Sequence, residues 1–144
     1  MASIGLAPER GPVIKKIKKA ATDAGATVKI VAPKVGVVKL ADGSMLAADG
    51  QLAGTPSVLF DAIAVILSEE GARALSAESA AVDFVRDAYG HLKAIGFDKG
   101  GQELLKVANI GRDAGIVDVH DSVRFITAAK TRQWEREKSV RTLA

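Results

Sequence analysis

The run Ala62-Ile63-Ala64-Val65-Ile66-Leu67 limits what this chain can fold into more than any other stretch. It is continuously aliphatic, without the polar alternation of a strand that has one face in water. Such a run reads as a central strand, and a strand buried on both faces must be covered by helices on each side. Shorter apolar runs repeat the theme. Ser3–Ala7, ended by Pro8, reads as a first strand, and Thr27–Ala32, closed by Pro33, as a second. Lys93–Phe97 and Gly115–Val119 read as the later ones.

Between the first two strands a helix is expected from about Pro12, because proline is tolerated in a first helical turn. Val13, Ile14, Ile17, Ala20, Ala21 and Ala24 recur there at helical spacing, and Gly25 is a natural stop. Strand, helix, strand is one βαβ unit, with a right-handed crossover expected. Further helices are predicted over Ala77–Leu92, Gln102–Ala108 and about Asp121–Glu137. In the first of these, Val82, Val85, Ala88, Tyr89 and Leu92 mark the buried side, with Phe84 nearby. Asp42-Gly43, between Val37–Leu40 and Met45–Ala48, is a hairpin signal, since a primed turn needs positive φ. Asp49-Gly50 and Gly54-Thr55-Pro56 then mark a loop.

The alternation predicts a doubly wound, mainly parallel sheet with an inserted β-hairpin, covered by helices on both faces as a three-layer α/β/α sandwich. The 144 residues show no internal repeat, so residues 1–144 are expected to form one soluble domain, with a mixed-charge helix end and tail over residues 130–144. Aromatics are only 4% of the chain, so the core must be built from Ala, Val, Ile and Leu.

Charge and composition exclude more than they identify. A net charge of +3 gives solubility without naming a partner. No apolar run approaches the roughly 20 residues that span a bilayer, so no membrane association is expected. Met1-Ala2-Ser3-Ile4-Gly5 lacks the basic start and apolar stretch of a secretion signal, and the compartment stays open. Without cysteine there is no disulfide, thiol nucleophile or thiolate metal site.

Ligands in open α/β sheets favour the crevice beyond the carboxyl ends of the strands. Those ends are Ala7–Gly11, Leu67–Gly71 and Phe97–Gly101. The last is a tight strand-to-helix turn, which in hydrolases and amidotransferases presents a Ser or Cys nucleophile. Here it offers Gly96, Phe97, Asp98 and Lys99. None is an acyl-transfer nucleophile; Phe97 reads as core and Asp98 as a helix cap. His91 and His120 both read as helix-end residues and are not spaced as a metal pair. Glu9 follows the first strand but has nothing to activate, and its bland role is to favour a helix N-terminus by charge. Glu69 and Glu70 read as a solvated loop.

Gly11 stands without the other glycines of a dinucleotide fingerprint, and Gly100-Gly101 is at most a weak anion site. Lys15, Lys16, Lys18 and Lys19 read as the wet side of an amphipathic helix. In the tail, Lys130, Arg132, Arg136, Lys138 and Arg141 are interleaved with Glu135 and Glu137, and no exposed aromatic ladder accompanies them, so nucleic-acid binding is not expected. Trp134 is unusual in that tail; it anchors the terminal helix either to the body or to a neighbouring subunit or domain. No catalytic, cofactor-binding or metal residue is assigned.

Two stretches carry a resemblance. Gly25–Ile66 reads GATVKIVAPKVGVVKLADGSMLAADGQLAGTPSVLFDAIAVI, and Asp83–Leu105 reads DFVRDAYGHLKAIGFDKGGQELL. In order and spacing they resemble the C-terminal domain of large-subunit haem catalases. The resemblance spans nearly the whole chain and implies a flavodoxin-like fold related to PfpI-type proteases and class I glutamine amidotransferases. It also implies a parent that converts hydrogen peroxide to water and oxygen at haem, in a separate and larger domain whose distal histidine and proximal tyrosine have no counterpart here. The match departs around Ser68-Glu69-Glu70-Gly71, where PfpI-type relatives carry a proline/glycine-rich loop. An absence of cysteine and only 2 methionines suits peroxide exposure, since thiols and thioethers oxidise.

The expected role is that of a noncatalytic accessory domain with no cofactor of its own, haem residing in the parent. Its expected partners are the catalase core and neighbouring subunits of a tetrameric parent, with unfolded client proteins as a chaperone-like extension. The competing readings are a stand-alone PfpI-like hydrolase or glyoxalase-type enzyme using Glu9, and a small-molecule-binding module at the strand ends.

Overall fold

The aliphatic run predicted to be central forms a strand, Ala62–Ile66, every residue of which is buried. The structure is a computed structural model describing residues 2–5, 11–32, 37–39, 45–47, 49–67 and 69–141. In chain order, β1 (Ala2–Gly5), α1 (Gly11–Asp23) and β2 (Lys29–Ala32) are followed by β3 (Val37–Lys39), β4 (Met45–Ala47) and β5 (Gly50–Gln51). Then come β6 (Ala62–Ile66), α2 (Glu69–Ser76), α3 (Ser79–Gly90) and β7 (Ala94–Phe97). The chain continues through α4 (Lys99–Val107), β8 (Ile116–Asp118) and α5 (Ser122–Ala129) to α6 (Glu137–Arg141).

The main sheet has the order β5-β2-β1-β6-β7-β8, and every pairing in it is parallel. Setting aside the added edge β5, this is the doubly wound flavodoxin order, with its reversal between β1 and β6. β3 and β4 pair antiparallel with Val38 opposite Leu46, as the hairpin reading required; its turn lies outside the described residues.

Strand side chains alternate between faces, and β6 shows what that does to the core. Ile63, Val65 and Leu67 join a cluster with Leu75, Phe84, Val85 and Leu104 from α2, α3 and α4. Ala62, Ala64 and Ile66 join the opposite cluster with Ile14, Ile17, Phe125 and Ile126 from α1 and α5. The short alanines lie on the side that holds Phe125, which is wholly buried, so small strand residues make room for the large helical one.

α1 ends as its sequence demands. Gly25 has φ +82°, and the Ala26 and Gly25 amides donate to the carbonyls of Ala21 (2.8 Å) and Thr22 (3.0 Å). This is the two-bond C-terminal motif that favours a residue without Cβ. Nothing lies within 4 Å of a Cβ built there, so Gly25→Ala is expected to cost only the conformational penalty, about 1 kcal/mol. Urea denaturation will measure it.

Several sequence expectations need correction. Glu69-Glu70, read as a loop, begin α2, a helix the sequence reading did not predict, while the helix predicted over Ala77–Leu92 is α3. Gly50, read as loop, begins the edge strand β5. It lies beside β2 because the Ile30 amide donates to Asp49 Oδ2 and the Asp49 amide to the Ile30 carbonyl, each at 2.7 Å. The single terminal helix is α5, a break, a 3-10 turn over Trp134–Arg136, and α6. α3 buries Ala81, Phe84, Val85 and Ala88, with Val82 and Tyr89 only half-buried. Leu6, Ala7 and Pro8, expected to close the first strand, lie outside the described residues.

Candidate functional site

The carboxyl ends of β6, β7 and β8 meet around the turn Phe97-Asp98-Lys99. Glu9, like the rest of residues 6–10, and Ser68 lie outside the described residues, so the site is built from its β6–β8 side. Asp98 is the N-cap of α4 and only 1% exposed. Its Oδ1 accepts from the Gly101 amide at 2.7 Å and from the Leu67 amide at 3.1 Å. One carboxylate thus satisfies the opening turn of α4 and ties it to the end of β6, as an Asp at an N-cap does. The Asp98 backbone is extended, at φ −108° and ψ −171°. Among described non-glycine residues only Leu92 and Asn109 have positive φ, so this turn lacks the strained geometry of a nucleophile elbow.

One strand across, the register pairs Phe97 with Asp118. Asp118 Oδ1 lies 2.8 Å from His120 Nδ1 and accepts the His120 amide at 2.9 Å. Burial raises the Asp118 carboxyl, but hydrogen bonds from the His120 amide and ring, with the charges of His120 and Arg112, outweigh it and hold the pKa below the ordinary value. Arg112 itself stacks on the Phe97 ring, 4.4 Å from its centroid. A carboxylate-oriented imidazole is the base half of a nucleophile–base pair. Both side chains are more than half exposed, and the neighbouring turn offers Asp98 as a cap rather than a hydroxyl or thiol. The sequence reading treated His120 alone and missed Asp118. The signal was the i, i+2 spacing at a strand end.

His91 is separate. It caps α3 at the amino end of β7, opposite the turn at Asp98, with Nδ1 2.8 Å from the Asp87 carbonyl. Among the described residues no three His, Cys, Asp or Glu side chains gather as a metal site, and no described helix is long and apolar enough to cross a membrane. Lys15, Lys16, Lys18 and Lys19 are exposed, as the amphipathic pattern of α1 required.

The tail is arranged differently from its sequence reading. Trp134 is 63% exposed, so it does not anchor the tail to the body; Arg136, read only as one of the tail's interleaved basic residues, is 3% exposed and does. Arg136 Nε and Nη2 donate to the two Asp113 oxygens at 2.7 and 2.9 Å, and Nη1 donates to the Lys93 carbonyl at 2.8 Å and the Tyr89 carbonyl at 3.2 Å. The guanidinium also lies 4.3 Å from the Tyr89 ring centroid.

This sheet order, with its capped turn, defines a protein of the ThiJ/PfpI/DJ-1 fold. The chain superposes on a ThiJ/PfpI domain protein from Brachyspira murdochii with TM-score 0.68 at 16% identity, covering 89% of this chain and 91% of that one. Oxidized DJ-1 from Toxoplasma gondii gives TM-score 0.69 at 14% identity, covering 99% and 96%. At such identities the likeness is one of fold.

Within that fold, residues 8–134 match the C-terminal domain found in long catalases, and the chain belongs to this family. It is 38% identical to Catalase C of Rhizobium meliloti over 122 residues, covering 81% of this chain and 17% of the relative. It is 31% identical to Catalase-B of Dictyostelium discoideum over 123 residues, covering 81% and 18%. The chain therefore spans less than a fifth of the curated relatives it matches.

Proposed function

We propose that this chain is a noncatalytic accessory domain that stabilises a long catalase or assists its assembly. The observation that carries the reading is the use of Asp98. Where hydrolases of related fold present a nucleophile, the side chain is spent on the amides of Leu67 and Gly101. Haem and peroxide chemistry belong to the parent's larger core, and no residue of this chain is assigned to them. The partners are that core and neighbouring subunits of a tetramer. Transient shielding of unfolded clients is an extension of the same role.

Two measurements test this. The purified chain is expected to show no Soret absorbance after haem addition and no oxygen release from hydrogen peroxide; stoichiometric haem with turnover would overturn the proposal. A parent catalase carrying this domain is expected to survive heating longer than the same parent without it, and equal inactivation and assembly would remove the stabilising role. For the chaperone extension, an equimolar amount of the chain should slow heat aggregation of an unrelated client relative to an inert protein.

The Asp118–His120 pair favours one second reading, a stand-alone hydrolase in which His120 is the base and Glu9 assists. Activity on an activated ester that is lost in both His120→Gln and Glu9→Gln would establish it. A background unchanged by either substitution would dismiss it.

A further inference from the structure

We propose that the cleft between α3 and the 52–57 segment binds a small organic cation bearing ammonium groups. The cleft has a volume of ≈ 320 Å³ and lies away from the turn at Asp98. Leu52, Ser57 and Phe84, all nearly or wholly buried, form its deep part, and Ser79, Asp83 and Asp87 of α3 form its wall. Two independent features point to a ligand.

The first is Ser57, which is 0% exposed and whose hydroxyl has no hydrogen-bond partner among the described residues. A buried hydroxyl left unmatched is a standing penalty that a chain avoids by water, by a neighbour or by a ligand. The second is charge. Asp83 and Asp87 stand one helical turn apart on the same face, with Cβ atoms about 5–6 Å from each other. Neither carboxylate has an ion-pair partner among the described residues, in a chain whose net charge is +3. Two unneutralised carboxylates above an orphan hydroxyl form an acceptor-rich site. Its complement is a group with several N–H donors and positive charge, and the small volume restricts it to a short aliphatic amine.

The test is an NMR amide titration of the full chain with 1,4-diaminobutane, with 1,4-butanediol as the neutral match and Mg²⁺ as the competing inorganic cation. Saturable shifts confined to Ser57, Ser79, Asp83 and Asp87 are expected for the diamine alone. Asp83→Asn and Asp87→Asn, both at exposed positions, should each weaken binding about tenfold, the loss of one charge-assisted contact. Ser57→Ala should weaken binding while leaving the melting temperature of the free chain unchanged or raised, a split that a purely structural serine would not produce. Linear shifts, equal affinity in the Asn variants, or saturation by Mg²⁺ in place of the diamine would each overturn the proposal.

Discussion

Gly101→Ala is expected to lower stability by about 3 kcal/mol or more, from overpacking joined to loss of a helix cap. A Cβ built on Gly101 falls 2.0 Å from the Val65 carbonyl oxygen, a backbone atom of the central strand that no rotamer change can move. Relief requires α4 to lift from β6. That movement breaks the 2.7 Å bond from the Gly101 amide to Asp98 and loosens the 3.1 Å bond from Leu67 to the same oxygen. Urea denaturation should show a midpoint far below the parent's, and circular dichroism should show whether the variant folds at all. Lys99→Ala, at an exposed position two residues earlier, should stay within about 0.5 kcal/mol. Equal stability of Gly101→Ala and the parent would mean that α4 does not approach β6 as described.

Arg136→Met is the second large effect, about 3 kcal/mol, the low end of the range for breaking a buried ion pair, because Arg136 is buried while its partner Asp113 stays 29% exposed. The substitution keeps much of the side-chain length but removes both donors to Asp113 and the donor shared by the Lys93 and Tyr89 carbonyls. It also releases the 3-10 turn that holds the tail against the start of β7, where the Gln133 amide donates to the Leu92 carbonyl at 2.7 Å.

The pair also predicts a pH dependence. Burial raises the Asp113 carboxyl, but the Arg136 hydrogen bonds, the Gly115 amide and the Arg136 charge outweigh it, so the folded-state pKa is depressed. A depressed carboxylate stabilises the fold fully above its unfolded value of about 3.9, and that contribution drains away as pH falls through the folded value. Acid titration of stability should therefore be shallower in Arg136→Met than in the parent below about pH 4. Identical acid limbs would remove the pair from the stability of this fold.

Much of the site was legible because it is local. Asp98 after a buried strand reads as a helix cap, and it is the N-cap of α4, although that helix begins at Lys99 and not at the expected Gln102. Asp118 and His120 were equally close in sequence, yet their importance depends on the β7–β8 register that sets them beside Phe97. α2 was missed because its opening Glu69-Glu70 carries no apolar signal, and its burial comes from Ala72 and Leu75 packing under α4.

By itself the sequence determined the order of the strands and helices other than β5 and α2, the central place of β6 and the end of α1 at Gly25. Apolar spacing and backbone sterics act over a few residues and leave their mark in any short window. Tertiary structure alone decided that Arg136 is the buried anchor while Trp134 faces solvent, and that Gly50-Gln51 is an edge strand. Arg136 meets Asp113 and the Lys93 carbonyl 23 and 43 residues away in the chain. A guanidinium enters a low-dielectric interior only where distant acceptors already converge, and no local pattern records where that convergence falls.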